Sequence, residues 1–213
     1  MRFDGLTRAA RAIWAKSGNP VGHGLLAHML DVAAVAERLL LREPPTVLLR
    51  VMEELGLPTG QRHRAIAACV GLHDIGKAIP GFQAKWPEGR AADESAGLIF
   101  PSRLLAADQH DLAGVALLRS FLRPHLGNAS GAVASAVTAH HGHFFDPVQV
   151  SNARQPGEPA TWSEARQEVF AHYAATLLGS AEEPPGRNDD AEPGLPALAW
   201  LAGLTSVADW IGS

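Results

Sequence analysis

The chain has 213 residues, 46% of them hydrophobic and 19% charged, with a net charge of −4 and one cysteine. That is enough for one sizeable core or at most two small ones, and it excludes a disordered chain, a disulfide scaffold and a cysteine-based zinc cluster. The acidic balance argues against a simple basic surface for phosphates.

The N-terminus, Met1 to Lys16, carries Arg2, Arg8, Arg11 and Lys16 but no apolar core of about 7 residues, so it is not a secretory signal. The first amphipathic helix is predicted from Leu25 to Arg42, where Leu25, Met29, Val32, Ala36, Leu39 and Leu40 recur at steps of three and four. A second runs from Thr46 to Leu55 and stops at Gly56 and Pro58. A third covers Gln61 to His73, and a short one Gly81 to Trp86. Further helices are expected over Asp108 to Leu122 and Asn128 to His141. Another starts at Thr161, where Thr161 and Glu164 match a capping box. The last runs from Leu195 to Ile211, with Pro196 in its first turn. Gly142 to Ala160 and the acidic stretch Ala181 to Gly194 read as loops. Strand signals are poor. No apolar run approaches about 18 residues, so no membrane-spanning helix is expected. The lone thiol of Cys69 fits a reducing compartment, and we expect a cytoplasmic, all-α, single globular domain.

The ten histidines are the outlier. On a helical wheel of ~100° per residue, His73 falls in the middle of the face made by Ile66, Cys69 and Val70. His28 lies within ~20° of Leu39, and His140 lies between Ala136 and Val133, with His141 ~100° further round. Each alone reads as a core histidine satisfied by one hydrogen bond. Together with Asp74 they are costly to bury unless something binds them. A metal ion is the economical partner, because it accepts imidazole nitrogen and carboxylate oxygen together. The last helix adds Asp209, on the side of Thr205 and Ser206, away from the stripe of Leu201, Leu204 and Val207; an exposed Asp209 is the alternative. His110 opens a helix after Asp108, and capping serves it equally well. A carboxylate has two oxygens and can bridge two ions, so one Asp between two sets of His suits a two-metal site.

His73-Asp74-Ile75-Gly76-Lys77 resembles the HD motif of the HD phosphohydrolase superfamily, and the order H…HD…H…HH…D is similar along the whole chain. The stretch HDIGKAIPGFQAKW, His73 to Trp86, resembles the HD nuclease domain of the CRISPR-associated nuclease-helicase of type I systems. So does the closing GLTSVADWIGS, Gly203 to Ser213. The resemblance covers about residues 23–213. It implies one HD-type nuclease domain over 1–213, with a metal cleft between central helices. No G-x-x-x-x-G-K-[ST] motif of a helicase occurs in the chain.

Carried over by motif, His28, His73, Asp74 and Asp209 would hold one divalent metal, and His110, His140 and His141 a second, with Asp74 shared. Asp74 and Lys77 would be catalytic, Lys77 near the phosphate; a cation at a helix C-terminus is its other reading. Phe82, Gln83 and Trp86 match the motif, although Phe82 and Trp86 at i and i+4 also suit core packing. The implied reaction is hydrolysis of single-stranded DNA in type I CRISPR interference, with a superfamily-2 helicase and an RNA-guided surveillance complex as partners, and no membrane. The His-rich ligand set favours Mn, Fe, Co or Ni over Mg. The alternative is an HD phosphohydrolase acting on a nucleotide or cyclic nucleotide.

Overall fold

The computed structural model describes residues 5–19, 21–57, 62–153, 157–179 and 193–213. In chain order the elements are α1 (Arg8–Ala12), β1 (Trp14–Lys16), β2 (His23–Gly24), α2 (Leu25–Leu40), α3 (Pro45–Leu55), α4 (Arg62–Gly71) and a 3-10 turn (Leu72–Lys77). Then come α5 (Pro80–Gln83), α6 (Pro87–Ser95), α7 (His110–Leu126), α8 (Ser130–Thr138), the second 3-10 turn that bears histidines (Ala139–His141), α9 (Pro147–Asn152), α10 (Ala160–Leu178) and α11 (Leu195–Gly212), with two further short 3-10 turns before α7 (Ser102–Leu104) and α8 (Gly127–Ala129). The fold is all-α, as the sequence predicts, with one minimal antiparallel pair: Trp14 faces Gly24, and Lys16 faces His23. Strands of two and three residues are too short to show alternation, which is why the sequence gives no sign of them.

The apolar stripe of α2 makes the centre. Leu25, Met29, Val32, Ala36 and Leu40 are buried against Ile66, Ala67 and Val70 of α4 and against Leu201 and Ala208 of α11. The helix α7 packs on α8 and on the first 3-10 turn. Gly56 ends α3 in the left-handed region, φ 68°, a conformation that costs glycine nothing. The bundle thereby converges the first turn of α2, both histidine-bearing 3-10 turns, the start of α7 and the end of α11.

Several sequence expectations change. The third predicted helix ends as α-helix at Gly71, and Leu72–Lys77 tightens into 3-10 geometry. The helix expected to end at His141 likewise changes to 3-10 after Thr138. The short helix expected over Gly81 to Trp86 is instead α5, Pro80–Gln83, and α6 starts beyond the expected range at Pro87. The Thr161–Glu164 capping box does not form: Pro159 is the cap residue, and the Thr161 hydroxyl is buried without a partner. The box forms instead at Asp146 and Gln149, and it starts α9 inside the stretch expected to be a loop. Residues 181–192 of the acidic loop, and the turn at Pro58, lie outside the described residues.

The reading of α11 also needs correction. By length and composition it could cross a membrane: mean hydropathy is 1.2 over residues 195–212, and 22% of that window is buried. Pro196, Gly203, Thr205, Ser206 and Asp209 break the apolar run while the mean of the whole window stays at 1.2, so counting uninterrupted residues missed it. Its buried positions are Ala197, Leu201, Thr205 and Ala208, while Val207 is exposed. Asp209 adjoins that stripe and points inward.

Asp93 of α6 is fully buried, and neither carboxylate oxygen has a hydrogen-bond partner; the Trp14 indole N–H is buried unpaired as well. Burial, with Glu94 beside it, pushes the Asp93 carboxyl up to about 8. The folded state therefore holds a proton that the unfolded chain releases near pH 4. Stability should fall as pH rises from about 4 to about 8 and level off above that. Asp93→Asn should raise the melting temperature, by an amount that grows across this range. Thermal unfolding at pH 5, 7 and 9 checks it, and an equal effect at all three would contradict the buried-acid account.

Candidate metal centre

Five segments meet at one cleft. His28 lies in the first turn of α2. His73 and Asp74 lie on the first 3-10 turn, and His110 opens α7. His140 and His141 close the second 3-10 turn, and Asp209 sits in the last turn of α11. Gly76 makes one of these meetings possible. A Cβ there would collide with the His110 carbonyl oxygen and the Gly114 backbone, so only glycine lets the first 3-10 turn lie directly on α7.

The Asp74 carboxylate is divided between two groups of imidazoles. Its Oδ2 lies 2.9 Å from His28 Nε2 and 3.4 Å from His73 Nε2; its Oδ1 lies 3.3 Å from His110 Nε2 and 3.8 Å from His140 Nε2. Asp209 Oδ1 completes the first group, 3.3 Å from His73 Nε2 and 3.6 Å from His28 Nε2. His141 Nε2 lies 3.4 Å from His110 Nε2 in the second. Within each of the groups His28/His73/Asp74/Asp209 and His110/His140/His141, one potential ligand atom per residue lies within 4.8 Å of the others. All seven metal-ligand candidates of the sequence are thus brought together, and the exposed alternative for Asp209 is set aside.

Electrostatics follow from burial. Burial lowers His28, and with His110 nearby it lowers His141. Burial and the charge of His73 bring His140 down to about 3, so these three rings stay neutral. Burial also works to lower His73, but Asp74 and Asp209 outweigh it and raise the ring to about 9. Burial opposes the charge on Asp74 too, yet His73 together with His110 and His28 holds that carboxyl well below its ordinary range. Asp209 is held low against burial by the His73 ring, 3.3 Å away, and by the hydrogen bond from Ser213.

The chemistry of the donor set fits a divalent ion. His73 Nε2 and Asp74 Oδ1 are buried, close to opposite charge, and still make no well-aligned hydrogen bond. Lowered His28, His140 and His141 and ionised Asp74 and Asp209 match the protonation states that ligands need, and His73 would give up its proton to an ion that takes its place between the two carboxylates.

Lys77 is buried, with Nζ 2.5 Å from Asp74 Oδ2 and 5.5 Å from the centre of the Phe82 ring. Two polar groups at the cleft were not foreseen from sequence: Lys16 Nζ, 3.8 Å from Asp209 Oδ1, and the Ser213 hydroxyl, which donates to the same oxygen at 2.6 Å. His143 Nε2 lies 3.4 Å from Asp111 Oδ2, next to His110 at the rim of the cleft. His23 pairs with Asp31 at 3.0 Å.

The family described as "Cas3, HD domain" matches residues 14–213. The chain belongs to this family. It is 42% identical to the CRISPR-associated endonuclease/helicase Cas3 of Thermus thermophilus over 96% of its own length and 22% of the relative's. The chain therefore spans about a fifth of that relative. Its fold is similar to a crystal structure of a CRISPR-associated protein, at TM-score 0.78 and 31% identity, covering 97% of this chain and 23% of the other. It is also similar to the Thermus thermophilus Cas3 HD domain solved in the presence of Ni2+, at TM-score 0.67 and 35% identity, covering 97% and 77%.

Within this Cas3-type HD domain, the end of the first 3-10 turn is clamped from two sides. The Gln83 side chain is fully buried. Its amide donates to the Trp14 carbonyl at 2.8 Å and to the Lys77 carbonyl at 2.9 Å, and its oxygen accepts from Trp14 N–H at 3.2 Å. Arg166 of α10, also buried, donates to the Ala78 carbonyl at 2.9 Å and pairs with Glu158. Gln83 lies inside the motif read from sequence; Arg166 is almost ninety residues from the turn and gives no local signal. Gln83→Leu removes three buried hydrogen bonds; the Lys77 carbonyl keeps the Ile79 N–H at 2.9 Å, while the Trp14 N–H and carbonyl lose their side-chain partner, at about 1–3 kcal/mol for each group left unpaired. It should lower unfolding free energy by at least about 2 kcal/mol, measured by urea titration. A change below about 0.5 kcal/mol, the usual scale for surface substitutions, would show that the clamp contributes nothing.

Proposed function

We propose that this chain is a metal-dependent nuclease domain, one HD-type unit over 1–213, that hydrolyses phosphodiester bonds of single-stranded DNA in type I CRISPR interference. The observation that carries this reading is the Asp74 carboxylate directing one oxygen to each group of imidazoles. In it, His28, His73, Asp74 and Asp209 would hold one divalent ion, and His110, His140 and His141 with Asp74 would hold a second. Divalent ions in such a site supply Lewis acidity: they lower the pKa of a water and offset charge on phosphate oxygens.

The chain's own part is preparation. Burial keeps His28, His140 and His141 neutral, so their lone pairs are available near neutral pH. The low-pKa carboxylates of Asp74 and Asp209 supply the negative charge that makes a cation welcome. Lys77 contributes a buried ammonium beside Asp74, placed to add positive charge where a phosphate enters. Imidazole donors favour Mn, Fe, Co or Ni, whereas Mg prefers oxygen and keeps its waters. The names of the relatives support a helicase as partner, fused or separate; on the same reading an RNA-guided surveillance complex presents the strand, and the setting is the cytoplasm.

Chelator-treated protein should not cut circular single-stranded DNA, and Mn, Co or Ni should restore cutting better than Mg. Asp74→Ala should reduce the rate to that of the chelator blank while far-UV circular dichroism is retained. A circle separates the readings, because a nucleotide phosphohydrolase cannot open it. Release of phosphate from nucleotides with intact circles would favour the alternative, and full cutting in chelator would sink the metal-dependent reading. Lys77→Met should bind Mn several-fold more tightly by calorimetry, since an ammonium on Asp74 opposes a cation there. Weaker binding would assign Lys77 a supporting role instead.

A further inference from the structure

Beyond the metal cluster, a groove of about 460 Å³ lies between α7, α8 and the segment 145–151. Val115, Arg119 and Arg123 form a ridge of α7 at i, i+4 and i+8 along one wall. Gly131 and Ser135 of α8 form the second wall, and Phe145 with Ser151 the third. We propose that this groove holds the backbone of single-stranded DNA beside the metal cluster, an inference that rests on the nuclease reading above.

Charge is the first argument. Arg119 and Arg123 are exposed, no carboxylate lines the groove, and neither side chain has an ion pair among the described residues. Four other arginines, Arg50, Arg64, Arg90 and Arg166, do pair with a glutamate. Like charges at i and i+4 repel on a helix. Arg123 offsets part of that cost at the helix C-terminus, but Arg119 does not. In a chain of net charge −4, two unpaired cations over a groove leave a place for an anion.

Shape and position are the second argument. The rise of 1.5 Å per residue sets the two arginine Cα atoms about 6 Å apart along the axis, a spacing suited to neighbouring phosphates of an extended strand. The groove walls lead back to the cluster. His110 opens α7, His140 and His141 follow α8, and Phe145 lies four residues beyond His141. The His143–Asp111 contact, 3.4 Å, joins two of the walls at the cluster end, and Asp111 heads the same ridge as Val115 and Arg119. Phe145 lines the third wall half-buried, packed on the core with its ring 4.8 Å from that of His143, and the Ser120, Ser135 and Ser151 side chains add hydroxyls. Cations in a groove that carries an aromatic side chain are what single-stranded nucleic acid uses, with its phosphates on the arginines. The walls run on to the metal cluster, which a strand to be cut must reach and an acidic protein segment need not.

The test is fluorescence anisotropy with a labelled 20-mer of deoxythymidine in chelator, so that nothing is cut. Arg119→Gln/Arg123→Gln and Arg119→Glu/Arg123→Glu are compared with wild type and with Arg50→Gln, a paired surface arginine on α3. Both groove variants should raise Kd at least tenfold. They should also lower the slope of log Kd against log salt by about 1.4, two phosphate contacts at about 0.7 each. Phe145→Ala should weaken binding with the slope unchanged. Arg50→Gln should bind as wild type. Wild-type Kd and slope in both arginine variants would overturn the proposal, as would loss of helicase binding with DNA binding intact. Circular dichroism of each variant guards against misfolding, and the Gln pair keeps the test valid if the Glu pair fails to fold. Failure of the nuclease reading is distinguishable: wild type would then bind the 20-mer through the arginines and leave circular DNA uncut with every metal.

Discussion

A carboxylate buried in an apolar helical bundle is the constraint around which the rest is arranged. Asp74 has almost no contact with water, and an uncompensated charge there would cost several kcal/mol. The chain meets that cost by surrounding one side chain with His28, His73, His110, His140 and Lys77, drawn from four separate segments. Each of those segments is held by its own apolar face. The helices therefore supply the energy, and Asp74 dictates which ends of the helices meet.

Backbone geometry makes the convergence possible. A regular α-helix through Leu72–Lys77 would keep consecutive side chains ~100° apart at 1.5 Å rise. The 3-10 turn winds at ~120° per residue, so side chains three apart eclipse, and Lys77 is set directly over Asp74. Gly76 then lets α7 approach until its first residue, His110, reaches the far oxygen of the carboxylate. Gln83 and Arg166 hold the two carbonyls that follow the turn. This arrangement explains why the pattern HDIGK is a functional unit in a helical protein: two potential ligands, a backbone contact point and a cation within five residues.

Much of this was legible in the sequence, because burial of a histidine leaves a mark on a helical wheel. His28, His73 and His140 sit among apolar residues at helical spacing, and all three are buried. Asp209 was readable only in part. The stripe of α11 runs through Ala197, Leu201, Thr205 and Ala208 rather than through Leu204 and Val207. A helix this rich in apolar residues leaves its inward face undetermined until its neighbours are known. Arg166, Lys16 and the Trp14–Asp93 region were illegible for another reason. Each acts across a long sequence separation, and nothing local to it is unusual. The capping box at Thr161 shows the opposite failure, a correct local signal that loses because Pro159 already starts the helix with a fixed φ.

The two halves of the cluster are not equivalent. His28, His73 and Asp74 are sealed from solvent, and that half has two carboxylates. The half at His110, His140 and His141 has no carboxylate of its own beyond one oxygen of Asp74, and His141 is exposed. On the proposed reading, the closed half binds a cation more tightly because charge and dehydration both favour it. The open half is the one a phosphodiester can reach. The walls of the arginine groove start at that same open half, through His110, His141 and the His143–Asp111 contact. A strand lying along Arg119 and Arg123 would therefore approach the more weakly held side of the cluster, where room for a substrate oxygen remains. The asymmetry follows from the fold itself, since α2 and α11 bury one half while α7 and the turn after α8 carry the other at the surface.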